Sequence, residues 1–400
     1  MASSRRLTTF CLRFAPVFAA LTAGYCLRGI WGPHDSSGLA DIRSVAESPE
    51  TAAGSPPATG FGPTLKNAGA ARMPAEFEPI DALMLGVNEL IEYHPETLAA
   101  IVAALDGDTG IIALISQPDQ EQRTLDLLRG RGIATDGIRF FMWPAESMWV
   151  QDFGPQQVLG DEVRIVDFEY DVSGRGIENQ LPMAFAATFG MKISHCNLSM
   201  EGGNMLSNGR GFCISTTTII NQNTPLGHDV EGIGRILHAD FGFDRWSHVL
   251  PLAGESTGHL DMFLTIAGPA TVLLASYDAA EDHDNAVRMD ETARMLAGEV
   301  TVDGRPLEVI RIRQPAIRDG CCLSYTNVIY GNGVVIVPQF PGTCPDLDRE
   351  ALEVYRRVFP DRRIVGIDAS KIVKKQGGLH CLSLSIPRLP GATGRTAASR

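Results

Sequence analysis

The sequence predicts an α/β fold built from repeated units, and two observations lead to this prediction. The first is that short apolar runs typical of strands alternate along the chain with single helical stretches, the order of elements found in the α/β class. The predicted strands cover residues 82–87, 111–116, 163–168, 271–275, 309–312 and 328–337. The predicted helices cover residues 96–105, 120–129, 180–189, 286–296 and 348–358.

The second observation is the even spacing of five short stretches rich in glycine and polar side chains. One polar residue marks each stretch, in order Asp152, Glu201, His259, Asn327 and Cys381. The steps between them are 49, 58, 68 and 54 residues, within a folded region of about 320 residues. Segments of similar length are typical of repeated supersecondary units. The spacing therefore predicts that each unit presents one polar turn to a common axis.

The N-terminal residues 1–31 resemble a signal peptide. Arg5 and Arg6 precede an apolar run at 14–27, whose 14 residues are too few to span a bilayer but typical of the apolar core of a leader. The paired arginines are similar to a twin-arginine leader, although Thr8 stands where a bulky apolar residue is usual. The sequence thus predicts export, to the periplasm or outside the cell. A cytoplasmic protein with a mis-assigned start or a disordered tail is the alternative.

The composition changes after this leader. Residues 32–72 are rich in Ser, Pro, Gly and Ala and show no periodicity, so they predict a disordered linker. A single folded domain is expected at residues 73–390, followed by a flexible tail at 391–400. We expect no contact with a membrane beyond the leader.

Overall composition narrows the function classes. The net charge is −13 and the sequence pI about 5.2, which argues against nucleic acid as a partner and suits a cationic substrate. The eight cysteines show no CxxC pair, and dinucleotide, P-loop and zinc-protease motifs are absent from the sequence. We therefore expect no cofactor and no metal. The sequence leaves disulfides and the oligomeric state open.

The stretch around Cys381 is the strongest candidate for chemistry. Gly377 and Gly378 allow a close backbone approach, and the alternation of apolar residues with serines over 382–386 predicts a half-buried strand. A thiol at the start of a strand can be directed into a cleft, and it is the most nucleophilic side chain near neutral pH. The alternative is that Cys381 is a small buried apolar residue, as most free cysteines are.

The other polar residues each have a structural alternative. Asp152 before Phe-Gly-Pro could cap a turn, and Glu201 before Gly-Gly could be a solvated loop carboxylate. His259 and Asp261 are expected to alternate on a strand and to face one side together, as a hydrogen-bonded pair on the surface also would. Taken together with Cys381, these residues would supply a nucleophile, an acid/base and an anionic pocket.

An anionic pocket beside a thiol indicates the substrate. A guanidinium is a planar cation whose several N–H donors match two carboxylates, and its carbon is electrophilic enough for a thiolate. The expected reaction is addition of the thiolate, loss of ammonia and hydrolysis.

Five motifs in order then resemble those of the agmatine deiminase and bacterial-type peptidylarginine deiminase family, over residues 73–388. The motifs are Met73-Pro-Ala-Glu-Phe-Glu-Pro79, Trp149-Val-Gln-Asp-Phe-Gly-Pro155, Glu201-Gly-Gly-Asn204, Gly258-His-Leu-Asp-Met-Phe263 and Gly377-Gly-Leu-His-Cys-Leu-Ser383. The resemblance implies the five-bladed α/β propeller of the guanidine-modifying (pentein) enzymes, with a single catalytic domain after the leader and linker.

The resemblance also implies a role for each matched residue. Cys381 is expected to be the nucleophile and His259 the acid/base. Asp152 and Asp261 are expected to bind the guanidinium, and Glu201 to support the histidine. Further substrate-binding residues are expected within the same motifs and in the Ser324–Asn327 stretch: Asn327, Trp149, Gly258 and Asn204.

The chain departs from the family at three places. Gln151 stands where an arginine is usual, Phe77 replaces a usual tryptophan, and Ser256-Thr257 precede Gly258 where agmatine enzymes commonly have an acidic residue. Because Gln151 removes a fixed positive charge next to Asp152, these departures leave the substrate open.

Two guanidino substrates are compatible with the sequence, and the predicted leader decides between them. An exported enzyme is poorly placed for cytosolic polyamine synthesis, so we expect arginine residues of peptides or proteins, with agmatine as the alternative. Arg175 could then clamp a substrate carboxylate, or it is an ordinary exposed turn arginine. From a different class, the chain could be an exported guanidinium-binding protein without turnover.

Overall fold

Five small β-sheets form the framework of the protein in a computed structural model that describes residues 60–61, 71–105, 107–170 and 172–389. These residues all belong to one compact unit, Pro56–Arg400, while the other unit, Met1–Ser55, lies outside the described residues. The predicted leader, most of the predicted linker and the predicted tail at 391–400 lie outside them too.

The strands are short, with two to eight residues each. In chain order they are β1 Gly60–Phe61, β2 Ala82–Gly86, β3 Gly110–Ile115, β4 Ile138–Met142, β5 Gln156–Val158, β6 Arg164–Glu169, β7 Lys192–Ser199, β8 Met205–Ser207, β9 Phe212–Thr216, β10 Arg245–Val249, β11 Leu264–Gly268, β12 Thr271–Ser276, β13 Glu308–Arg313, β14 Ile329–Tyr330, β15 Val334–Gln339, β16 Arg363–Asp368 and β17 Ser383–Ile386.

The helices stand between the strands, as the α/β prediction requires. The α-helices are α1 Val87–Tyr93, α2 Pro95–Leu105, α3 Asp119–Gly130, α4 Val150–Phe153, α5 Leu181–Phe189, α6 Thr218–Asn223, α7 Val230–Phe241, α8 His283–Ala297 and α9 Pro345–Val358. Short 3₁₀ turns cover Glu178–Gln180, Gly202–Asn204, Thr224–Leu226, Leu260–Met262 and Val373–Lys375.

One arrangement recurs in all five sheets. A first strand pairs antiparallel with a second, and the second pairs parallel with a third after a helical crossover. The strand orders are β17-β2-β3-β4, β5-β6-β7, β8-β9-β10-β1, β11-β12-β13 and β14-β15-β16. The repeat predicted from the spacing of polar turns is therefore a β-β-α-β unit, and the number of sheets equals the number of blades that the family resemblance implies.

The first sheet joins the two ends of the folded region. Its first strand, β17, comes from the C-terminus and pairs antiparallel with β2, with Ser383 opposite Leu85. Leu384 and Ile386 of β17 are buried, so the pairing is fixed by apolar packing as well as by backbone hydrogen bonds. The turn that carries Cys381 precedes this strand, and its position therefore depends on both ends of the domain.

Apolar side chains of the strands and helices form the core between the sheets. The middle strand β15 is buried at five of its six residues, and α9 packs its Ala351, Val354 and Tyr355 on the same cluster. The apolar residues on both sides of a short turn led to one wrong prediction. The sequence predicted one strand at 328–337, but the Gly331-Asn332-Gly333 turn divides it into the antiparallel pair β14 and β15.

The structure also bears on the predicted linker at 32–72 and on the cysteines. Within the predicted linker, Gly60–Phe61 forms a strand against β10, and Arg72 forms an ion pair with Glu78, so these residues are part of the folded unit. The six described cysteines are all free thiols. Among the described residues, no helix is long and apolar enough to cross a membrane.

Candidate active site

The five predicted polar residues each lie shortly before the first strand of a different sheet. Asp152 precedes β5, Glu201 precedes β8, His259 precedes β11, Asn327 precedes β14 and Cys381 precedes β17. A turn at the same place in each repeated unit is brought to the same end of that unit. The contacts below show that the five turns meet in one buried cluster.

Cys381 lies at the centre of this cluster. Its Sγ atom is 3.5 Å from Oδ2 of Asp261, 3.4 Å from Nδ2 of Asn327 and 3.4 Å from the backbone N of Gly378. Burial, followed by the charges of Asp261 and Asp152, raises the pKa of the thiol well above its usual range. The two N–H donors act against this shift because they favour a thiolate. The free site therefore holds a neutral thiol with donors already aimed at its sulfur.

His259 lies between two carboxylates. Its Nε2 is hydrogen-bonded to Glu201, and its Nδ1 is 3.6 Å from Oδ1 of Asp152. Burial lowers the pKa of His259, but Asp152 and Glu201 outweigh burial and raise the pKa to about 10. The imidazole is therefore protonated near neutral pH, the form that a general acid needs.

The backbone around His259 differs from the prediction. His259 is extended but leads into the 3₁₀ turn Leu260–Met262, so the expected strand that would carry both His259 and Asp261 is wrong. Gly258 makes the turn possible with a φ of +68°, and its carbonyl accepts a hydrogen bond of 2.7 Å from Oγ1 of Thr216. Both side chains nevertheless reach the cluster, because the tight turn directs them inward.

Two aspartates line the space in front of the thiol. Asp152, in α4, accepts a hydrogen bond of 3.3 Å from the backbone N of Gly203. Burial raises the pKa of Asp152 to about 7; His259 opposes the rise, and Glu201 and Asp261 add to it. Asp261 is 1% exposed, and its Oδ1 atom is buried without a hydrogen-bond partner. An unpaired buried carboxylate oxygen is costly, so this atom is suited to a donor that arrives with the substrate.

Gly203 borders the same space. A methyl group at this position would lie 2.8 Å from Oδ1 of Asp152, 2.8 Å from Nδ1 of His259 and 3.2 Å from Oδ2 of Asp261. The absence of a side chain at Gly203 thus keeps three polar groups accessible to one ligand. This is the geometry expected of a small cradle for a cation with several N–H donors.

The glycine turn before Cys381 is fixed by two neighbours. The Oδ1 atom of Asn327 accepts a hydrogen bond of 2.8 Å from the backbone N of His380, and a methyl group at Gly378 would lie 2.1 Å from the same atom. A methyl group at Gly377 would lie 2.6 Å from the ring of Trp149. The two glycines are therefore required for this close approach, as the sequence predicted.

The remaining predicted residues make other contacts. Oδ1 of Asn204 accepts a hydrogen bond of 2.9 Å from the backbone N of Thr216, which ties its turn to β9. Arg175 forms an ion pair of 3.4 Å with the buried carboxylate of Glu178. The substrate-binding roles expected for Asn204 and Arg175 stay predictions.

Two residues of the cluster had no predicted role, namely Glu76 and His380. Nδ1 of His380 is 2.7 Å from Oδ2 of Asp261, and its Nε2 is 2.8 Å from both oxygens of Glu76. Gln151, expected to affect the charge next to Asp152, directs its Nε2 to Glu76 at 3.2 Å. Glu76 lies in the first of the five family-like motifs and His380 in the last, so membership of these motifs was the one sequence signal for them.

The cluster also offers donor atoms to a metal ion. One ligand atom from each of Asp152, Glu201 and His259 lies within 4.8 Å of the others. Nitrogen and carboxylate oxygen are ligands for zinc and for other divalent ions, and the same atoms can bind a guanidinium. The expectation that the chain uses no metal stays a prediction.

A thiol with N–H donors on its sulfur, beside an aspartate that keeps one oxygen without a hydrogen-bond partner, fits the class of thiol-dependent enzymes that modify guanidino groups. The family model of the Porphyromonas-type peptidyl-arginine deiminases matches residues 72–387, and the chain belongs to this family. It is therefore a hydrolase that acts on the C–N bonds of linear amidines, and the alternative of a binding protein without turnover is not favoured.

Named relatives agree with this family, and solved structures show the same fold. An agmatine deiminase from Pseudomonas syringae pv. syringae is 27% identical over 290 residues, which are 62% of this chain and 77% of the relative. Agmatine deiminase of Enterococcus faecalis has a TM-score of 0.68 at 21% identity, over 80% of this chain and 96% of that one. Agmatine deiminase of C. jejuni has a TM-score of 0.69 at 16% identity, over 82% of this chain and 99% of that one. These structural likenesses confirm the α/β fold.

Proposed function

We propose that this enzyme hydrolyses the guanidino group of agmatine to a ureido group and ammonia. The observation that carries the proposal is the position of two carboxylates around one space: Oδ1 of Asp152 and Oδ2 of Asp261 both border the space at Gly203, and Oδ2 of Asp261 is also 3.5 Å from Sγ of Cys381. A guanidinium held by two carboxylates would place its central carbon next to the sulfur.

The charge of the cluster favours a substrate with more than one positive charge. Its charged groups are four carboxylates and two imidazoles: Glu76, Asp152, Glu201, Asp261, His259 and His380. With all of them ionised, the cluster carries two more negative than positive charges. A single guanidinium offsets only one of these charges. Agmatine, with a guanidinium and an amine, is a dication and is attracted more strongly than a blocked arginine residue.

The state of Arg175 also supports a substrate without a carboxylate. Arginine carries a carboxylate that agmatine lacks, and Arg175 was the cation that the sequence suggested for binding it. In the structure the guanidinium of Arg175 is paired with Glu178, whose carboxylate is fully buried. Withdrawing Arg175 would leave that buried charge unpaired, so its use as a clamp would be costly.

The names of relatives point the same way. The relative from P. syringae is named an agmatine deiminase, as are the two solved structures given above. The expected preference for peptidyl arginine depended on the predicted leader, which lies outside the described residues. We therefore favour the agmatine alternative over the arginine-peptide expectation.

In the proposed first half-reaction, the guanidinium binds to Asp152 and Asp261 and offsets their charge. This lowers the cost of ionising Cys381, which releases its proton to solvent, and the thiolate then adds to the guanidinium carbon. The N–H donors of Asn327 and Gly378 stabilise the sulfur as an anion before it attacks. His259 donates a proton to the departing nitrogen, ammonia leaves, and a covalent thiouronium on Cys381 remains.

The second half-reaction reverses the role of the histidine. His259, having lost its proton, takes one from a water molecule, whose oxygen adds to the thiouronium carbon. The hydroxyl proton of this adduct passes to the sulfur as the carbon–sulfur bond breaks, so the thiol is regenerated and the product leaves with a ureido group. Glu201 holds the imidazole in place through both steps. One water molecule is consumed and one ammonia is released for each turnover.

A direct comparison of substrates tests the proposal. The purified full chain is incubated with agmatine, free arginine and an arginine peptide blocked at both ends, and the ureido product is measured. We expect kcat/KM for agmatine to exceed both others by about tenfold or more, because one lost charge contact in a buried site costs at least about 1.4 kcal/mol. A higher value for the blocked peptide would restore the arginine-peptide alternative.

Export also remains a proposal. It is supported by Arg5, Arg6 and the apolar run at 14–27. Fusing residues 1–31 to a reporter that is active only outside the cytoplasm tests it. We expect activity that is lost when Arg5 and Arg6 are replaced by alanine, and a reporter that stays silent with the intact leader would contradict export.

A further inference from the structure

The ring of His380 links two carboxylates at the back of the site. Its Nδ1 contacts Oδ2 of Asp261 at 2.7 Å, and its Nε2 contacts both oxygens of Glu76 at 2.8 Å. Ionised carboxylates only accept hydrogen bonds, and a neutral imidazole has a single N–H. Both contacts are satisfied together when both ring nitrogens carry a proton. The geometry therefore indicates an imidazolium, buried with 5% of the residue exposed.

The position of the ring is fixed from the backbone side too. The backbone N of His380 donates to Oδ1 of Asn327 at 2.8 Å, and its carbonyl accepts hydrogen bonds from the backbone N and the Oγ of Ser383. His380 is thus held between the turn of Asn327 and the start of β17. Little freedom remains for the ring except the placement that its two carboxylates define.

Asp261 is the residue that this arrangement orients. Its Oδ2 accepts the hydrogen bond of His380 and lies 3.5 Å from Sγ of Cys381, whereas its Oδ1 has no partner. A carboxylate fixed through one oxygen presents the other in a defined direction. The fixed oxygen, Oδ2, faces the histidine and the thiol and also borders the space at Gly203, 3.2 Å from a methyl group placed there.

We propose that His380 is a positioning residue for the guanidino hydrolysis proposed above: as an imidazolium between Glu76 and Asp261, it fixes the carboxylate of Asp261 beside the Cys381 thiol and the Gly203 cradle, and it offsets the carboxylate charge next to that thiol. The role in turnover rests on the proposed function. The effect on the thiol does not, because it is present before any substrate binds.

The electrostatics of the ring agree with this role. Burial lowers the pKa of His380, but the charge of Glu76 and the hydrogen bond to Asp261 outweigh burial and raise it to about 10. The titratable groups in contact with the ring are Glu76 and Asp261, and the thiol of Cys381 contacts the same oxygen of Asp261. The neutral amide of Gln151 contacts Glu76 at 3.2 Å. A neutral residue there leaves His380 as the cation in the ion pair with Glu76.

The test measures the titration of the thiol directly. Iodoacetamide alkylates thiolates, so its rate at Cys381 against pH gives the pKa of that thiol, with Cys381→Ser as the blank for the other cysteines. Removing the imidazolium leaves Asp261 uncompensated beside the sulfur. We expect His380→Gln to raise the midpoint by about one pH unit or more. Glu76→Gln is expected to raise it by less, because His380 without its anion becomes neutral in the alkaline range where the thiol titrates.

Turnover provides the second measurement. With agmatine, kcat/KM of His380→Gln is expected to fall by about 30-fold or more, and Glu76→Gln to lose activity increasingly as the pH rises above 7. His248→Gln is the matched control: His248 is also buried, packs against Trp246 and lies outside this cluster, so it should leave the thiol midpoint unchanged.

The outcomes are distinct. Unchanged thiol midpoints in both variants would overturn the proposal, as would a uniform loss of rate with the wild-type pH profile. If His380→Gln fails to fold, as seen by its thermal melting, Glu76→Gln decides by the same criterion because it keeps the shape of the side chain. Shifted midpoints in an enzyme that does not hydrolyse agmatine would refute the proposed substrate and support the role of His380.

Discussion

Sγ of Cys381 lies 3.5 Å from Oδ2 of Asp261, so the thiol faces a carboxylate in the free site. Burial and the charges of Asp261 and Asp152 raise the pKa of the thiol, and it is neutral near pH 7. A bound guanidinium offsets these carboxylates and lowers the cost of ionising the sulfur. In the proposed reaction, the positive charge of the substrate lowers the pKa of the thiol that attacks it. A neutral analogue would leave the thiol protonated and unreactive.

Replacing the thiol tests the nucleophile. Cys381→Ala should lower turnover by about 10³-fold or more, because in the proposed mechanism the thiolate forms the covalent bond to the substrate. Turnover is measured as ureido product, and thermal melting shows whether the fold is kept. Cys321→Ala, which removes a thiol outside the cluster, is the control and should keep the wild-type rate. A Cys381→Ala enzyme with more than about a tenth of that rate would exclude Cys381 from the mechanism.

The ionisation of Asp152 predicts how binding depends on pH. The pKa of Asp152 is raised to about 7, so the residue is mostly neutral below that pH and mostly ionised above it. Only the ionised form pairs with a guanidinium. In the Cys381→Ser background, agmatine should bind more tightly as the pH rises from 6 to 7 and then level off above about pH 8. Calorimetry measures this, and adding Asp152→Asn should flatten the curve; a curve unchanged by Asp152→Asn would assign the titration to another group.

The sequence predicted much of this site because its chemistry lies in short local patterns. Cys381 follows two glycines and precedes a strand, and Asp152 stands before a Phe-Gly-Pro turn; both patterns are visible without the fold. The regular spacing of the turns had a physical cause, since each polar turn precedes the first strand of a repeated unit. Short apolar runs predicted strands at the places of β2, β3, β6, β12, β13 and β15, and the alternation at 382–386 predicted β17.

What the sequence could not predict depends on contacts between distant residues. Glu76 and His380 are 304 positions apart and meet only in the folded chain, so neither motif indicated their hydrogen bond. The spacing of two between His259 and Asp261 suits a strand. In the structure, however, a left-handed Gly258 and a 3₁₀ turn bring both side chains to the cluster. Gln151 was expected to affect Asp152 because the two are adjacent in sequence. In the structure its side chain contacts Glu76 instead.

Removal of metals tests the assignment of the acidic cluster. Asp152, Glu201 and His259 have donor atoms close enough for a metal ion, yet the proposed reaction draws its electrophile from the substrate itself. EDTA should therefore leave the rate with agmatine unchanged. Added zinc should inhibit in competition with agmatine, since both would need the same oxygens and nitrogen. Loss of activity on chelation, recovered with a divalent ion, would contradict the proposed mechanism.

Filling the cradle should weaken binding without breaking the fold. In Gly203→Ala the added methyl group would lie 2.8 Å from Oδ1 of Asp152 and Nδ1 of His259, within the space proposed for the guanidinium. KM for agmatine should rise by about tenfold or more as the neighbouring groups move apart. Gly342→Ala, where a methyl group meets no atom within 4 Å, is the matched control. An unchanged KM in a folded Gly203→Ala enzyme would place the substrate elsewhere.

The carboxylates should differ in what their removal changes. Asp152→Asn and Asp261→Asn keep the shape and the hydrogen-bonding reach of the side chains but each remove one negative charge from a buried site. Leaving the guanidinium half-paired costs about 2 to 5 kcal/mol, so kcat/KM should fall by about 30-fold or more in either variant.

Glu201→Gln should act on a different constant. Glu201 is hydrogen-bonded to Nε2 of His259, and its proposed task is to hold and charge the imidazole, so kcat should fall while KM changes little. Steady-state kinetics with agmatine separate the two constants, and Glu162→Gln, at an exposed ion pair with Lys192, controls for the loss of an acidic residue. If Asp152→Asn bound and hydrolysed agmatine like the wild type, Asp152 would be a turn residue only. If Glu201→Gln changed KM as strongly as the aspartate variants do, Glu201 would belong to the guanidinium site rather than to the histidine.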